Sequence, residues 1–243
     1  MWQSARPLQH VARDDRPIAL LAEIAALAVP PRCAVCRAPG GRAGGVLCAA
    51  CRRALPWLGG CCARCALPLP HARRGCPAAG AAFAAAWAAV AYEGAARDAM
   101  HALKFRARRP LAAVMAAQIA ANAPRALLAQ GASLVAVPPH PGRRRRRGFD
   151  AAELLARALA RRSGLPLARP LRRGGGAARQ LGASRDARRA AAALRIDVRG
   201  RPSARVVLVD DVHTTGATLD ACARALRAAG AEHVAAITWA RTL

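Results

Sequence analysis

The clearest hydrophobic signal in this chain is Val206-Val207-Leu208-Val209, an unbroken apolar run that ends abruptly in Asp210-Asp211. Consecutive apolar, mostly β-branched residues predict a strand buried on both faces, as in parallel sheets. Shorter runs of the same kind predict strands over Ala86–Tyr92, Leu134–Val137, Leu167–Leu171, Arg205–Val209 and His233–Trp239. Between them lie predicted helices over Gly94–Phe105, Leu111–Leu128, Ala151–Arg162 and Leu219–Ala229, the last stopped by Gly230. A Gly- and Arg-rich stretch occupies residues 172–189. This alternation predicts an α/β fold with a doubly wound parallel sheet. No internal repeat is evident. Upstream the pattern changes: Ile18–Val29 reads as an amphipathic helix stopped by Pro30-Pro31, and a cysteine-rich segment follows. The expected organisation is therefore residues 1–31 as a helix and linker, 32–80 as a cysteine-rich module and 81–243 as the sheet domain.

Eight of the nine cysteines fall between Cys33 and Cys76, spaced as Cys33-x2-Cys36, Cys48-x2-Cys51 and Cys62-x2-Cys65. Each such knuckle turns two thiolates toward one point, and two knuckles complete the tetrahedral sulfur shell that Zn²⁺ prefers. A disulfide framework fits poorly with an odd cysteine count and no export signal. A redox pair fits poorly because none opens a helix at the end of a strand. A structural zinc ribbon remains, and with four thiolates bound no position is left for catalysis. Cys33, Cys36, Cys48 and Cys51 are the most economical set, for one expected ion. A second set could be drawn from Cys61, Cys62, Cys65 and Cys76, although Cys76-Pro77-Ala78-Ala79 lacks the second cysteine of a knuckle. Cys222 stands apart and is expected in the core.

A second chemistry follows the strongest strand, in Asp210-Asp211-Val212-His213-Thr214-Thr215-Gly216-Ala217-Thr218. A tight Thr-Thr-Gly turn entering a helix is an anion site, because backbone N–H groups and the helix dipole face the ligand and glycine permits close approach. Paired carboxylates beside a phosphate would repel it unless they face ribose hydroxyls or a metal. The plainer alternative is a core strand followed by an ordinary capped helix, with the acids and threonines as N-cap groups.

The run from Val206 to Thr218 resembles the phosphoribosyl-pyrophosphate (PRPP) motif of type I phosphoribosyltransferases. The chain from Cys33 to Arg241 resembles the ComF family, also called competence protein F or GntX-like, which joins a zinc ribbon to such a domain. Tyr92-Glu93-Gly94, Leu103-Lys104-Phe105, Val135-Ala136-Val137-Pro138 and Arg147-Gly148-Phe149-Asp150 add to the likeness. The resemblance implies that Asp210 and Asp211 hold the ribose 2′ and 3′ hydroxyls, with the turn His213, Thr214, Thr215, Gly216, Ala217 and Thr218 around the 5′-phosphate. It implies Arg147, with Arg143–Arg146, at the pyrophosphate, Mg²⁺ arriving with PRPP, and residues 172–189 as a catalytic hood. Asp150 and Ala151 stand where the family has Asn-Gln; downstream, Gln180 and Arg188 match it but Ala191 replaces an Asn. Lys104 is the only lysine, and His213 could donate to phosphate or be a spectator.

Composition sharpens this without deciding it. Lys plus Arg number 39 against 13 acids, giving +26, while 54% hydrophobic content excludes a disordered basic tail. Arg and Ala are in joint excess, as coding bias produces, so the charge is only partly a binding signal. A field of this size attracts polyanions, so single-stranded DNA and, from the family name, competence-machinery proteins join PRPP or a ribose phosphate as expected partners. Aromatics at 3% leave few rings for base stacking. The stretch Ile18–Val29 is short of the ~20 residues a bilayer span needs and contains Glu23. A cytoplasmic protein with no membrane span is expected.

Overall fold

The computed structural model describes residues 32–39, 45–70, 75–139, 142, 147–174 and 195–243. The predicted helix at Ile18–Val29, Arg143–Arg146, Gln180, Arg188 and Ala191 lie outside these residues. A short helix α1 (Ala49–Arg53) precedes β1 (Ala85–Ala91), α2 (Gly94–Phe105), α3 (Leu111–Asn122), a 3₁₀ turn (Arg125–Leu128) and β2 (Ala132–Ala136). Then come α4 (Ala151–Ser163), β3 (Leu167–Ala168), β4 (Leu171–Arg173), β5 (Ile196–Val198), β6 (Arg205–His213), α5 (Ala217–Ala228) and β7 (His233–Arg241).

Among the described residues, five strands form a parallel sheet in the order β1-β7-β6-β2-β3. The apolar run of β6 explains its central place. Val207 and Val209 enter one core with Leu103, Leu111, Met115, Ile119, Leu155 and Leu159 of α2, α3 and α4. Val206 and Leu208 enter the opposite core with Leu219, Cys222 and Leu226 of α5. Each buried Leu or Val contributes roughly 1.5–3 kcal/mol, so a strand apolar on both faces anchors both layers at once. The fold is doubly wound, as the alternation predicts, and Cys222 is fully buried in it.

Three element boundaries depart from expectation, each for a local reason. The helix expected over Leu111–Leu128 stops at Asn122, because Pro124 forces Ala123 into extended backbone (ψ 144°). The strand expected over Leu167–Leu171 splits at Pro170, which has no N–H to give a ladder. Its first part pairs with β2, and its second forms a separate antiparallel pair with β5, a strand the sequence reading omits. Strand β6 runs past Val209 to His213 because β7 pairs with it as far as Arg241. Helix α4 is stopped and started as its sequence suggests. The Asp150 carboxylate accepts the Ala152 N–H (3.1 Å), and Gly164 closes the helix at φ 73°.

The cysteine-rich module contains a repeat that the sequence reading missed. Cys33-x2-Cys36-x2-Pro39 and Cys62-x2-Cys65-x2-Pro68 adopt the same turn. Arg32 bridges Pro39 as Cys61 bridges Pro68, and the residues after each knuckle, Arg37 and Ala66, both take left-handed backbone (φ 61° and 58°). The Cys33 N–H donates to Ala38 O (2.9 Å) as Cys62 N–H does to Leu67 O (2.8 Å). Between the knuckles the chain covers the edge of the sheet at β1. Leu58 N–H donates to Ala89 O, Ala91 N–H to Pro56 O and Ala86 N–H to Ala63 O, at 3.0, 2.8 and 2.9 Å. The module thus caps an otherwise open edge strand. No helix among the described residues is long and apolar enough to cross a membrane.

Candidate functional site

Chain direction creates the crevice before any side chain is considered. From β2 the chain leaves over the α4 face, and from its neighbour β6 it leaves over the α5 face. Ligands of open α/β sheets bind outside the carboxyl ends of strands at such a switch point. Both segments singled out by sequence begin there: the loop toward Arg147 after β2, and the acidic pair and turn at the end of β6.

Within that end, Asp210 accepts the N–H of Asp211 on its own carboxylate (2.8 Å). Asp211 pairs with Lys104 of α2, Nζ to Oδ1 at 2.7 Å, with both side chains less than one-fifth exposed. Neither acid caps α5. The lone lysine is therefore a partner of the motif, bound to its second carboxylate. Burial pushes the Asp210 carboxyl up to about 8, the Asp211 charge adds to this, and Lys104 opposes it. Two carboxylates this close resist joint ionisation unless something cationic or hydrogen-bonding comes to them.

The turn that follows is shaped from beneath. Gly216, at the N-cap of α5, holds φ 83° and supplies no side chain to the first-turn N–H groups. A Cβ there would meet His213 Nε2 at 2.8 Å, so both the dihedral and the space require glycine. His213 is itself 3% exposed, set edge-on to Phe83 at 6.2 Å. Burial, helped by the Arg241 charge, pushes its imidazole down to about 4, so it is neutral at physiological pH. The structure thus places His213 under the turn. Thr215 Oγ1 accepts the Ala217 N–H at 3.3 Å, and Thr218 follows in the first turn of α5.

Sequence reasoning missed Arg241. Its side chain is buried, with Nε donating to Cys65 O and Nη1 to His213 O, both at 3.0 Å, and Nη1 also to the Thr214 carbonyl. One guanidinium therefore ties the cysteine module to the backbone of the phosphate turn. In a chain so rich in arginine nothing distinguishes this one; the register that sets Arg241 opposite His213 does.

Arg147 lies on the loop from β2 with its guanidinium 4.8 Å over the ring of Phe105, while Arg109 lies 5.0 Å over Phe149. These two crossed cation–π contacts join the loop to the end of α2. Beyond the loop, a cavity of about 970 Å³ is bordered by Val137, Pro138, Phe149, Glu153, Arg169 and Leu171. Glu153 binds Arg157 and Arg169 there, each at 2.7 Å. Burial would raise its carboxyl, but the two guanidiniums win and lower it.

The cysteines gather into two clusters. Sulfurs of Cys33, Cys36, Cys48 and Cys51 lie within 4.8 Å of one another, as do those of Cys62, Cys65 and Cys76. A tetrahedron of ~2.3 Å Zn–S bonds sets sulfurs about 3.8 Å apart. The Cys36–Cys48 and Cys62–Cys76 sulfur pairs, at 3.6 and 3.9 Å, fit that spacing. Backbone N–H groups support the first cluster, Cys48 to Cys33 Sγ and Cys51 to Cys48 Sγ at 3.4 Å each. Burial opposes ionisation of Cys33, yet the N–H groups of Cys48, Cys36 and Val35 hold its thiol at about 6. In the second cluster burial dominates and pushes Cys65 up to about 11. Sequence alone expects one ion, in the first cluster; the structure also gathers the possible second set, with Cys61 outside it, its thiol directed to Gly59 O at 3.7 Å. No cysteine is disulfide-bonded.

Residues 24–80 match the double zinc ribbon domain, and residues 146–242 match the phosphoribosyl transferase domain. No curated protein matches the chain. The double match and the two sulfur clusters support structural zinc, and the second domain accounts for the parallel sheet, its switch-point crevice and the turn after β6. The chain thus carries a double zinc ribbon followed by a phosphoribosyl transferase domain, an order consistent with ComF-like architecture.

Proposed function

We propose that this is a ComF-like protein that binds PRPP, or a related ribose phosphate, in the crevice between the ends of β2 and β6. The observation that carries the reading is the coincidence of the switch point with a glycine-capped helix N-terminus and two adjacent carboxylates, one of them held by Lys104. Asp210 and Asp211 take the ribose hydroxyls, Asp211 exchanging or sharing Lys104. The backbone of Thr214, Thr215, Gly216, Ala217 and Thr218 surrounds the 5′-phosphate, with His213 fixing the turn from below. Arg147 moves from Phe105 to the pyrophosphate. Mg²⁺, carried on the pyrophosphate, would lower the charge of that leaving group. In a transferase reaction a nitrogen nucleophile attacks the anomeric carbon as pyrophosphate departs, and the protein's part is positioning and charge neutralisation.

Asp150 bears on whether such chemistry runs. It replaces the family's Asn at the N-cap of α4, where Asp serves equally well, and its charge adds to the burden on Asp210. This favours a second reading, a module that binds the ribose phosphate without turning it over. Incubation with PRPP, Mg²⁺ and a panel of nucleobases and amines, followed by pyrophosphate release, separates the two. Turnover names the acceptor; binding without release supports the module; failure to bind PRPP contradicts both. A role in DNA uptake, with single-stranded DNA as a larger polyanionic partner, rests on the family resemblance and the charge. It predicts affinity that falls steeply with salt.

A further inference from the structure

Arg241 is the last residue of β7, 5% exposed, and stands opposite His213 in the parallel pairing with β6. Its Nη1 donates to two successive carbonyls, those of His213 and Thr214, while its Nε donates to Cys65 O. The Thr242 N–H also donates to His213 O, at 3.0 Å, so that carbonyl is held twice. Across a planar trans peptide the C=O and the following N–H point in opposite directions. With both carbonyls drawn to one nitrogen, the N–H groups of Thr214 and Thr215 are turned away from Arg241. In the sheet β7 lies on one side of β6 and β2 on the other, so they face the β2 side, where the crevice opens. Gly216 follows in left-handed backbone (φ 83°), and successive N–H groups leading into such a residue form a concavity that binds anions. Charge acts in the same sense: the guanidinium that helps to push the His213 imidazole down favours negative charge at the turn above it.

We propose, on the ribose phosphate reading of the crevice, that Arg241 is the positioning residue of the 5′-phosphate site: from the buried side it aims the Thr214 and Thr215 N–H groups at the phosphate without touching the ligand. The geometry needs a fork. Nε reaches Cys65 O while Nη1 reaches the turn, and a lysine ammonium, a compact point charge, cannot hold both ends. The Cys62-x2-Cys65 knuckle is then the fixed post from which the turn is aimed. This gives the cysteine module a part in phosphate affinity as well as in covering the edge of β1. Donors oriented before the ligand arrives need no reorganisation when it binds.

The threonines of the chain are Thr214, Thr215, Thr218, Thr238 and Thr242, so ¹⁵N-threonine labelling of the full chain reports on the turn with few other signals. The probe is ribose 5-phosphate. In the wild type it should move the Thr214 and Thr215 amide resonances and leave that of Thr238, buried in β7, in place. In Arg241→Lys those two resonances should be displaced before any ligand is added. Its affinity for ribose 5-phosphate, measured below its Tm, should fall by at least about tenfold, the scale of a lost charge-assisted hydrogen bond. A lowered Tm with wild-type affinity would make Arg241 a structural tie alone and overturn the assignment. Unmoved Thr214 and Thr215 amides in a wild type saturated with ribose 5-phosphate would overturn it too, and that measurement decides the matter where Arg241→Lys does not fold. A wild type that binds neither ribose 5-phosphate nor PRPP overturns the reading of the crevice itself, and this assignment with it.

Discussion

The cysteine clusters and the phosphate turn use polar groups in opposite ways. In the clusters, sulfurs face one another at spacings that suit a metal, and two of the cysteines, Cys33 and Cys65, are buried in the two cores that flank the sheet. At the turn, a left-handed glycine caps the start of α5 and two adjacent carboxylates end the strand before it. The first arrangement suits a stabilising metal, and the second gathers polar groups at a crevice end, with Asp211 already paired to Lys104. Changes in the clusters should therefore act on stability, and changes in the turn should act on binding.

The largest effect is expected from Cys33→Ser combined with Cys51→Ser. Structural zinc contributes an apparent ~10–16 kcal/mol in small ribbons. Losing it should expose the edge of β1 and lower Tm by at least about 10 °C, the equivalent of several kcal/mol for a chain of this size. An unchanged Tm in protein shown to have lost that zinc would break the contrast. Next comes Arg241→Gln, which leaves buried carbonyls of Cys65, His213 and Thr214 short of a donor. Urea denaturation should show a loss of about 2–4 kcal/mol. Because Arg241 joins the two regions, this variant should also weaken ribose phosphate binding. Gly216→Ala, opposed by φ 83° and by His213, should cost about 1–3 kcal/mol and most of the phosphate affinity.

A pH series sharpens the comparison further. The Asp210 carboxyl is raised from 3.8 to about 8 on folding, so the native state holds a proton that the unfolded state has released between those values. Stability is then highest below about pH 4 as far as this group is concerned. It should decline as pH rises toward 8, at no more than about 1.4 kcal/mol per pH unit. Asp210→Asn should flatten that slope and raise Tm at pH 8; a lowered Tm there would contradict the assignment. The smallest effect is expected at Asp150. Asp150→Ala should cost about 1 kcal/mol by removing the α4 N-cap, while Asp150→Asn should change stability little.

Much of this was readable in the chain because its signals are local. The apolar run before Asp210 marked the central strand, Gly216 marked the turn, and CxxC spacing marked the knuckles. Local pattern fails where a long-range partner decides. Lys104 and Asp211 are 107 residues apart, and Arg241 and Cys65 are 176 apart; only the sheet order brings them together. The repeat in the ribbon is faint in sequence because its halves share only Cys-Ala-x-Cys-x2-Pro, with the rest free to vary. Strand β5 has three residues and no apolar run, so its identity comes from pairing with β4. The end of α3 before Pro124, by contrast, is a local signal that the sequence carries.

The central claim, that the end of β6 is a ribose phosphate site, is tested most directly by calorimetric titration of Mg²⁺ and PRPP into the zinc-loaded protein and into Asp210→Asn/Asp211→Asn. The account predicts saturable binding by the wild type and none by the variant, with the variant's Tm undiminished. Equal binding by both proteins would contradict it.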